Sequence, residues 1–285
     1  MAVIAAVTAL GCNKNTSVPP VQTDEIVFTA SDHNLEYNVE TKASVVSSLS
    51  SFKASAVTGT PGTETAVWTN ISYADSDGDS KFTGDKYWPL TNANPYSFYA
   101  SNIDLTFSAA GNTVSASNET DVVCAYLASP TYKDVNALTF QHIFARIGSM
   151  TVNAVDGYTI SNVSISVTPK VRGTYNLSTG FGQTDGTGWS DTANGSATGI
   201  ANSTPGTKAN DIYTVPGVFT LTATWTATRG EYVQTFSNKS YDVSIVGGKV
   251  NNISTTLGGL AEEIKFTVSV AEWGTNSVTA TFPMN

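Results

Sequence analysis

The sequence predicts an all-β protein: two tandem β-sandwich domains behind a short apolar leader and a tether. Three observations predict it. Apolar residues recur at alternate positions in several separate runs, the spacing that puts one strand face in a core and the other in water. Gly and Pro punctuate these runs at Thr60-Pro61-Gly62, Asn94-Pro95, Ser129-Pro130, Asp156-Gly157, Pro216-Gly217 and Gly247-Gly248, where turns are needed. No long segment carries the roughly 3.6-residue period of an amphipathic helix. Composition agrees, since 40% of the 285 residues are hydrophobic and can fill cores, while only 13% are charged. The polar surface is therefore mostly Ser, Thr and Asn.

The leader comes first. Ala2 to Leu10 is apolar and uncharged, with nothing basic before it, and it ends in Ala9-Leu10-Gly11-Cys12 before the chain turns polar at Asn13-Lys14-Asn15. Small residues directly before a cysteine resemble a lipobox. On this reading residues 1–11 are a signal segment, and Cys12 is the lipidation site that holds the protein at a membrane surface through acyl chains such as palmitate. Residues 12–23, with Pro19-Pro20 and few apolar anchors, read as a tether. Beyond residue 12 no apolar run approaches the about 20 residues of a membrane helix. The chain is expected to be lipid-anchored rather than membrane-spanning.

Residues 24–155 are expected to form the N-terminal sandwich. Its longest strand-like run, 137–152, is apolar on both faces, and the boundary is placed just after it, near Ala154-Val155-Asp156-Gly157. Residues 156–285 follow as the C-terminal sandwich. There Val163-Ile165-Val167 alternates with Ser164, Ser166 and Thr168. Phe219, Leu221, Ala223 and Trp225 alternate with Thr220, Thr222, Thr224 and Thr226. Ile264-Phe266-Val268-Val270 and Val278-Ala280-Phe282 repeat the pattern near the end. Residues 178–210 are Gly, Thr, Ser, Asn and Asp with Phe181 and Trp189, and are expected to be a long surface loop.

Few residues point to chemistry. The net charge of −9 opposes a phosphate backbone, which argues against nucleic acid as a partner. Of the two cysteines, Cys124 lies in Val122-Val123-Cys124-Ala125-Tyr126 and reads as a small buried hydrophobe; a disulfide to Cys12 or a catalytic thiol are the alternatives. His142 shares a strand face with Phe140 and Phe144 and reads as a core histidine bonded to backbone, the alternative being a ligand or base. His33 sits in a polar stretch. There is no Gly-x-Ser-x-Gly elbow, Cys/His metal spacing or phosphate-cradling glycine loop. An enzyme is not expected, nor is a cofactor. Asp75, Asp77 and Asp79 alternate beside Gly78 and are a weak candidate for holding Ca²⁺. Ser80 and Lys86 stand where an EF-hand needs Gly and Glu, so a hydrated acidic turn is the simpler reading. Aromatic residues gather in Tyr87-Trp88-Pro89 and Tyr96-Ser97-Phe98-Tyr99; packing is favoured, with sugar stacking on Tyr87, Trp88 or Trp189 as the alternative.

Several of these segments together resemble the fimbrillin family, the pilin lipoproteins of type V pili in anaerobic Gram-negative bacteria. The resemblance rests on the lipobox at Cys12 and on Glu40-Thr41-Lys42-Ala43 followed by Val45 to Phe52, which is similar to the family's basic processing site and the strand after it. It rests further on the aromatic pair Tyr87-Trp88-Pro89 and Tyr96 to Ala100, and on Leu138-Thr139-Phe140-Gln141-His142-Ile143-Phe144-Ala145-Arg146-Ile147, similar to the family's Phe-x-His strand. Gly248-Lys249-Val250, Leu257 and Trp273 add to it. The resemblance implies sandwich domains of transthyretin-like, Greek-key type, no enzyme activity, export to the outer membrane surface and assembly into a fimbrium. It also implies a processing protease that cuts after a basic residue and removes the first strand, so that a neighbouring pilin subunit donates a strand in its place. Carried onto this chain, Ile26-Val27-Phe28 with Leu35, Tyr37 and Val39 is the removable segment. Lys42 is the cut site, Ala43 the new N-terminus, and Val278, Ala280 and Phe282 the donor strand. Lys42 occupies a place often held by Arg, so a protease that cuts here must accept lysine; a non-processed anchor or tip subunit, with Lys42 a solvated loop lysine, is the alternative. Host proteins or glycans are the further partners implied. Asp191-Thr192-Ala193 also resembles an O-glycosylation acceptor of these bacteria.

Overall fold

The computed structural model describes residues 24–32, 49–89, 96–108, 111–195, 198–202, 206–259, 265–272 and 280–282. Cys12, Lys42, Ala43 and Val278 lie outside them. In chain order the strands are β1 (Val27–Asp32), β2 (Ser51–Thr58), β3 (Thr65–Ala74), β4 (Ser97–Ser101), β5 (Thr106–Ser108), β6 (Gly111–Ser117), β7 (Val123–Leu127), β8 (Val135–His142), β9 (Ala145–Ala154), β10 (Thr159–Val167) and β11 (Lys170–Asn176). A single turn of helix, α1 (Leu177–Gly180), follows. Then come β12 (Trp189–Asn194), β13 (Thr198–Asn202), β14 (Gly206–Thr214), β15 (Gly217–Arg229), β16 (Tyr232–Ile245), β17 (Lys249–Leu257), β18 (Lys265–Glu272) and β19 (Ala280–Phe282). The chain is all-β, as its period-two patterning predicts.

Four sheets form two packed units. In the first, a six-stranded sheet ordered β1-β8-β7-β4-β2-β3 lies against a four-stranded sheet ordered β12-β11-β6-β5. Val57, Tyr99 and Cys124 of the larger sheet meet Val114, Ala116 and Tyr175 of the smaller across one core. In the second unit, β14-β9-β17-β18-β19 faces β13-β10-β15-β16. Ile147, Met150 and Ile253 there pack against Ile165, Leu221 and Trp225. The alternation in β15 places Leu221, Ala223 and Trp225 inside with 0% exposure. Trp225 stacks on Phe236 at 4.5 Å between ring centroids, and its indole N–H donates to the Gly258 carbonyl at 3.0 Å.

The sheets do not respect a division at 155/156. The apolar run over 137–152 breaks at residues 143–144. Its first part, β8, stays in the first unit, while its second part, β9, pairs with β17 and β14 in the second. β11 and β12 then return to the first unit, where β11 pairs antiparallel with β6, Tyr175 opposite Val114. Local patterning cannot reveal this, because a strand's alternation marks its buried face but not the sheet it joins. The stretch 178–210 is likewise not one long loop. It contains most of α1, all of β12 and β13, and the start of β14. Its Ser, Thr and Asn residues hold backbone ladders at sheet edges, where one face is wet and large side chains are not needed.

Cys124 is fully buried, and its thiol points at the Ser101 hydroxyl at 3.6 Å. Burial pushes the thiol up to about 12, with the Ser101 contact opposing that shift. It is therefore a core group and not an activated nucleophile. The native protein should resist iodoacetamide at pH 8 and take up one label per chain at Cys124 on unfolding in denaturant. The raised value also predicts alkaline sensitivity. An unfolded thiol ionises near about 8.5, so above that pH the unfolded chain binds fewer protons than the folded one. Stability should then fall with rising pH up to about 12, and urea titrations at pH 8 and pH 10 would show it.

Candidate functional site

The feature that stands apart is the way the six-stranded sheet closes. β1 alternates Ile26, Phe28 and Ala30 with Val27, Thr29 and Ser31. Ile26 and Phe28 are 0% exposed, and Ala30 is packed against the same core. β1 pairs parallel with β8, with Val27 opposite Val135 and Ala30 opposite Leu138. On its other side it meets residues 82–88. The Phe28 N–H donates to the Phe82 carbonyl at 3.1 Å and the Phe82 N–H returns to Phe28 at 2.8 Å. The Ile26 N–H donates to Lys86 at 2.7 Å and the Trp88 N–H to Asp24 at 2.9 Å. The same segment reaches the far edge of the sheet, where Thr83 and Ala74 of β3 exchange bonds of 3.2 and 3.1 Å. Residues 82–88 thus link the sheet's two edges, and β1 is the stave that closes the resulting barrel.

The barrel's interior is aromatic. The Phe28 ring lies edge-on to Tyr73 at 5.0 Å and to Phe98 at 4.9 Å, and 6.2 Å from Phe52. Phe52, Phe82, Phe140 and Trp88 complete the core. Gly84 lets the bridging segment lie this close: a Cβ there would sit 2.7 Å from Tyr73 Cε2 and 2.8 Å from the Ser72 carbonyl. The Tyr73 hydroxyl is buried inside without a hydrogen-bond partner. Burial first, then the Glu25 and Asp85 carboxylates, raise its pKa well above the ordinary tyrosine range. At the rim, Asp24 pairs with Lys133, whose ammonium lies over the Tyr132 ring, and Glu25 accepts the Asp85 N–H at 3.3 Å. These rim contacts are exposed and contribute little. The buried side chains and the double ladder hold the strand.

Trp88 is 1% exposed. It stacks on Tyr96 at 6.1 Å and meets Phe98 edge-on at 5.8 Å, so it packs and offers no face to a sugar. Tyr87 beside it is 39% exposed. Trp189 is half-buried against Phe144 and Tyr175. Asp75, Asp77 and Asp79 are brought together, with a carboxylate oxygen of each within 4.8 Å of the others. Asp75 accepts the N–H groups of Gly78 and Ser80 at 2.8 and 3.1 Å, and Lys81 pairs with Asp79 at 2.7 Å, holding that carboxyl below its ordinary value. The cluster is thereby a self-bonded acidic turn leading into the bridging segment. His142 is buried, as its neighbours predict, and its Nδ1 meets Asp121 Oδ1 at 2.8 Å. Sequence reading misses both that carboxylate, which lies 21 residues away, and residues 82–88, which are too short and irregular to show a strand period.

Of the expected donor residues, Ala280 and Phe282 lie on β19. That strand pairs antiparallel with β18 at the margin of its sheet, Phe282 opposite Val268 and Ala280 opposite Val270. No helix among the described residues is long and apolar enough to cross a membrane.

The fold is similar to that of a solved structure. A fimbrial protein from Bacteroides vulgatus ATCC 8482 superposes with a TM-score of 0.53 at 12% identity, over 87% of this chain and 99% of that one. A fimbrial assembly protein from Parabacteroides distasonis ATCC 8503 aligns with a TM-score of 0.40 at 9% identity, over 86% and 95%. No curated protein matches by sequence. A family model described as fimbrillin-like matches residues 26–273, a span that opens on the buried Ile26 of the closing segment and takes in the first packed unit and all of the second except β19. The chain therefore belongs to the fimbrillin-like family.

Proposed function

We propose that this protein is a subunit of a surface fimbrium, or a pilus-associated surface protein, that assembles by exchanging β1 for a strand of a neighbouring copy. The observation that carries this reading is the closing stave: a short N-terminal strand fills a barrel core and is followed by a connection containing Lys42. Lys42 is the sole lysine or arginine between β1 and β2. A protease cutting there frees the N-terminal piece while leaving every later strand covalently intact. Cys12 is the lipid attachment point that holds the precursor at the outer membrane, and processing separates the mature subunit from it.

The energetics of exchange follow from the vacated seat. Removing β1 exposes the slots of Ile26, Phe28 and Ala30 together with unpaired backbone groups on β8, a template for strand addition. Each large apolar side chain that refills a slot contributes about 1.5–3 kcal/mol, and each ladder hydrogen bond about 1 kcal/mol. The donor is the C-terminal segment with Val278, Ala280 and Phe282. Head-to-tail donation whose rotation does not close a ring propagates as a filament.

Deleting residues 276–285 tests the reading. The truncated chain should fold, with its far-ultraviolet circular dichroism retained, and should form no fibres by electron microscopy. Normal fibres from that variant would overturn the proposal.

A further inference from the structure

We infer that a cleft where the two packed units meet is a binding site for a small oxyanion, a carboxylate or a phosphate, held by Lys249, Tyr175, Gln141 and Gln183. Nothing in this site depends on β1 or on strand exchange.

The cleft follows from how the units touch. The turn between β16 and β17 lies against two pieces of the first unit's end of the chain. The Gly247 N–H donates to the Thr184 carbonyl at 2.7 Å, and the Gly248 N–H to the Phe144 carbonyl at 2.8 Å. Glycine permits this approach. A Cβ on Gly247 would sit 2.7 Å from Pro216 Cγ, and one on Gly248 would sit 3.1 Å from the His142 carbonyl at a φ of +65°. The backbones are thus fixed to each other, and a cleft of about 170 Å³ remains beside them, with room for several waters. Its walls come from both units. Gln141 of β8, Tyr175 of β11, and Gln183 and Thr184 of the loop after α1 face Lys249 and the two glycines.

Two observations point to a ligand. The first is unspent hydrogen-bonding capacity. Tyr175 is only 3% exposed, yet its hydroxyl has no hydrogen-bond partner among the described residues. Burial, with a smaller contribution from Cys124, raises its pKa well above the ordinary tyrosine range, so the group stays a neutral donor. The side-chain amides of Gln141 and Gln183 and the Thr184 hydroxyl are also without partners among the described residues. A buried polar group in that state carries a desolvation cost that a bound ligand recovers.

The second is one-sided charge. Lys249 shares the inward face of β17 with the buried Asn251 and Ile253, and at the strand's first residue that face opens on the cleft. The acids of this region are Asp121, against His142 Nδ1, and Glu272, opposite Lys249 in the β17–β18 register; neither is among the walls. Tyr175, Thr184, both glutamines and Lys249 can each donate a hydrogen bond, and no wall group is an anion. That set fits an oxyanion, whereas a cation would find no counter-charge. Carboxylate and phosphate share this chemistry. Because the walls belong to both units, the bound anion ties them together and stabilises the folded chain by mass action.

Isothermal titration calorimetry of the full-length chain with acetate and with inorganic phosphate, at constant ionic strength in chloride buffer, tests the site and separates the two sources. The expected result is one-to-one binding of at least one anion. Lys249→Gln should weaken it about tenfold, as for a lost charge-assisted bond, and Tyr175→Phe about fivefold, as for a lost neutral one. Gln183 is exposed, so Gln183→Ala keeps the test valid if either other variant folds poorly; it should also cost about fivefold. Glucose, a neutral ligand rich in hydroxyls, should give no saturable heat. No saturable heat from either anion up to about 10 mM, beyond the millimolar range, overturns the proposal and leaves the cleft to water. Anion binding that survives all three substitutions overturns its placement here, and saturation by glucose with neither anion bound overturns the assigned charge.

Discussion

Phe28→Ala should destabilise the first unit of the intact chain by about 3–5 kcal/mol, the range for removing a buried phenylalanine side chain. The upper part of that range is appropriate here. The ring is fully buried and touches Tyr73 and Phe98 edge-on, with Phe52 beyond. β2, β3 and β4 carry these rings and are fixed in one sheet, so they have little freedom to collapse onto the void. Urea unfolding followed by tryptophan fluorescence would report the loss, since Trp88 and Trp68 belong to the same core. On the proposed exchange the same substitution should be silent in assembled subunits, because a strand donated by a neighbour would fill the place of β1. An equal loss in both states would mean that β1 is never released.

Lys42→Ala should abolish maturation. Every lysine or arginine before it, Lys14 alone, precedes β1, and the next one after it, Lys53, lies inside β2. A protease that requires a basic residue thus has no substitute site that removes β1 without damaging the sheet. N-terminal sequencing should find chains still starting at Cys12, and electron microscopy should find no fibres. Lys42→Arg should restore both. Fibres of normal length built from Lys42→Ala chains that begin at Cys12 would show that exchange does not depend on this cut.

The strands of the second unit were the easiest to read. In β10 and β15, Val163, Ile165, Leu221 and Trp225 point inward and their Ser and Thr neighbours outward, so period-two spacing was enough. The closing strand was legible as an apolar run, yet its parallel partner was not. Val27 and Val135 are more than a hundred residues apart, and nothing local ties their register. The bridging segment was hidden for another reason. Phe82 and Trp88 are separated by polar residues and work through backbone bonds, which leave no mark on composition. Burial of Trp88 could be expected from its aromatic neighbours, whereas the Asp121 partner of His142 could not, because in the sequence a single carboxylate between strands resembles any solvated one.

The route of the chain between the two packed units has a mechanical consequence. It passes from the first to the second between β8 and β9, returns between β10 and β11, and leaves again between β12 and β13. Three covalent connections therefore join the units where beads on a string would have one. Traction along a fibre is shared among them, and drawing the units apart requires shearing β11 from β6 or β9 from β17 along their whole ladders at once. Such a subunit should yield late and abruptly under load, as a single block, and should not lengthen by stages.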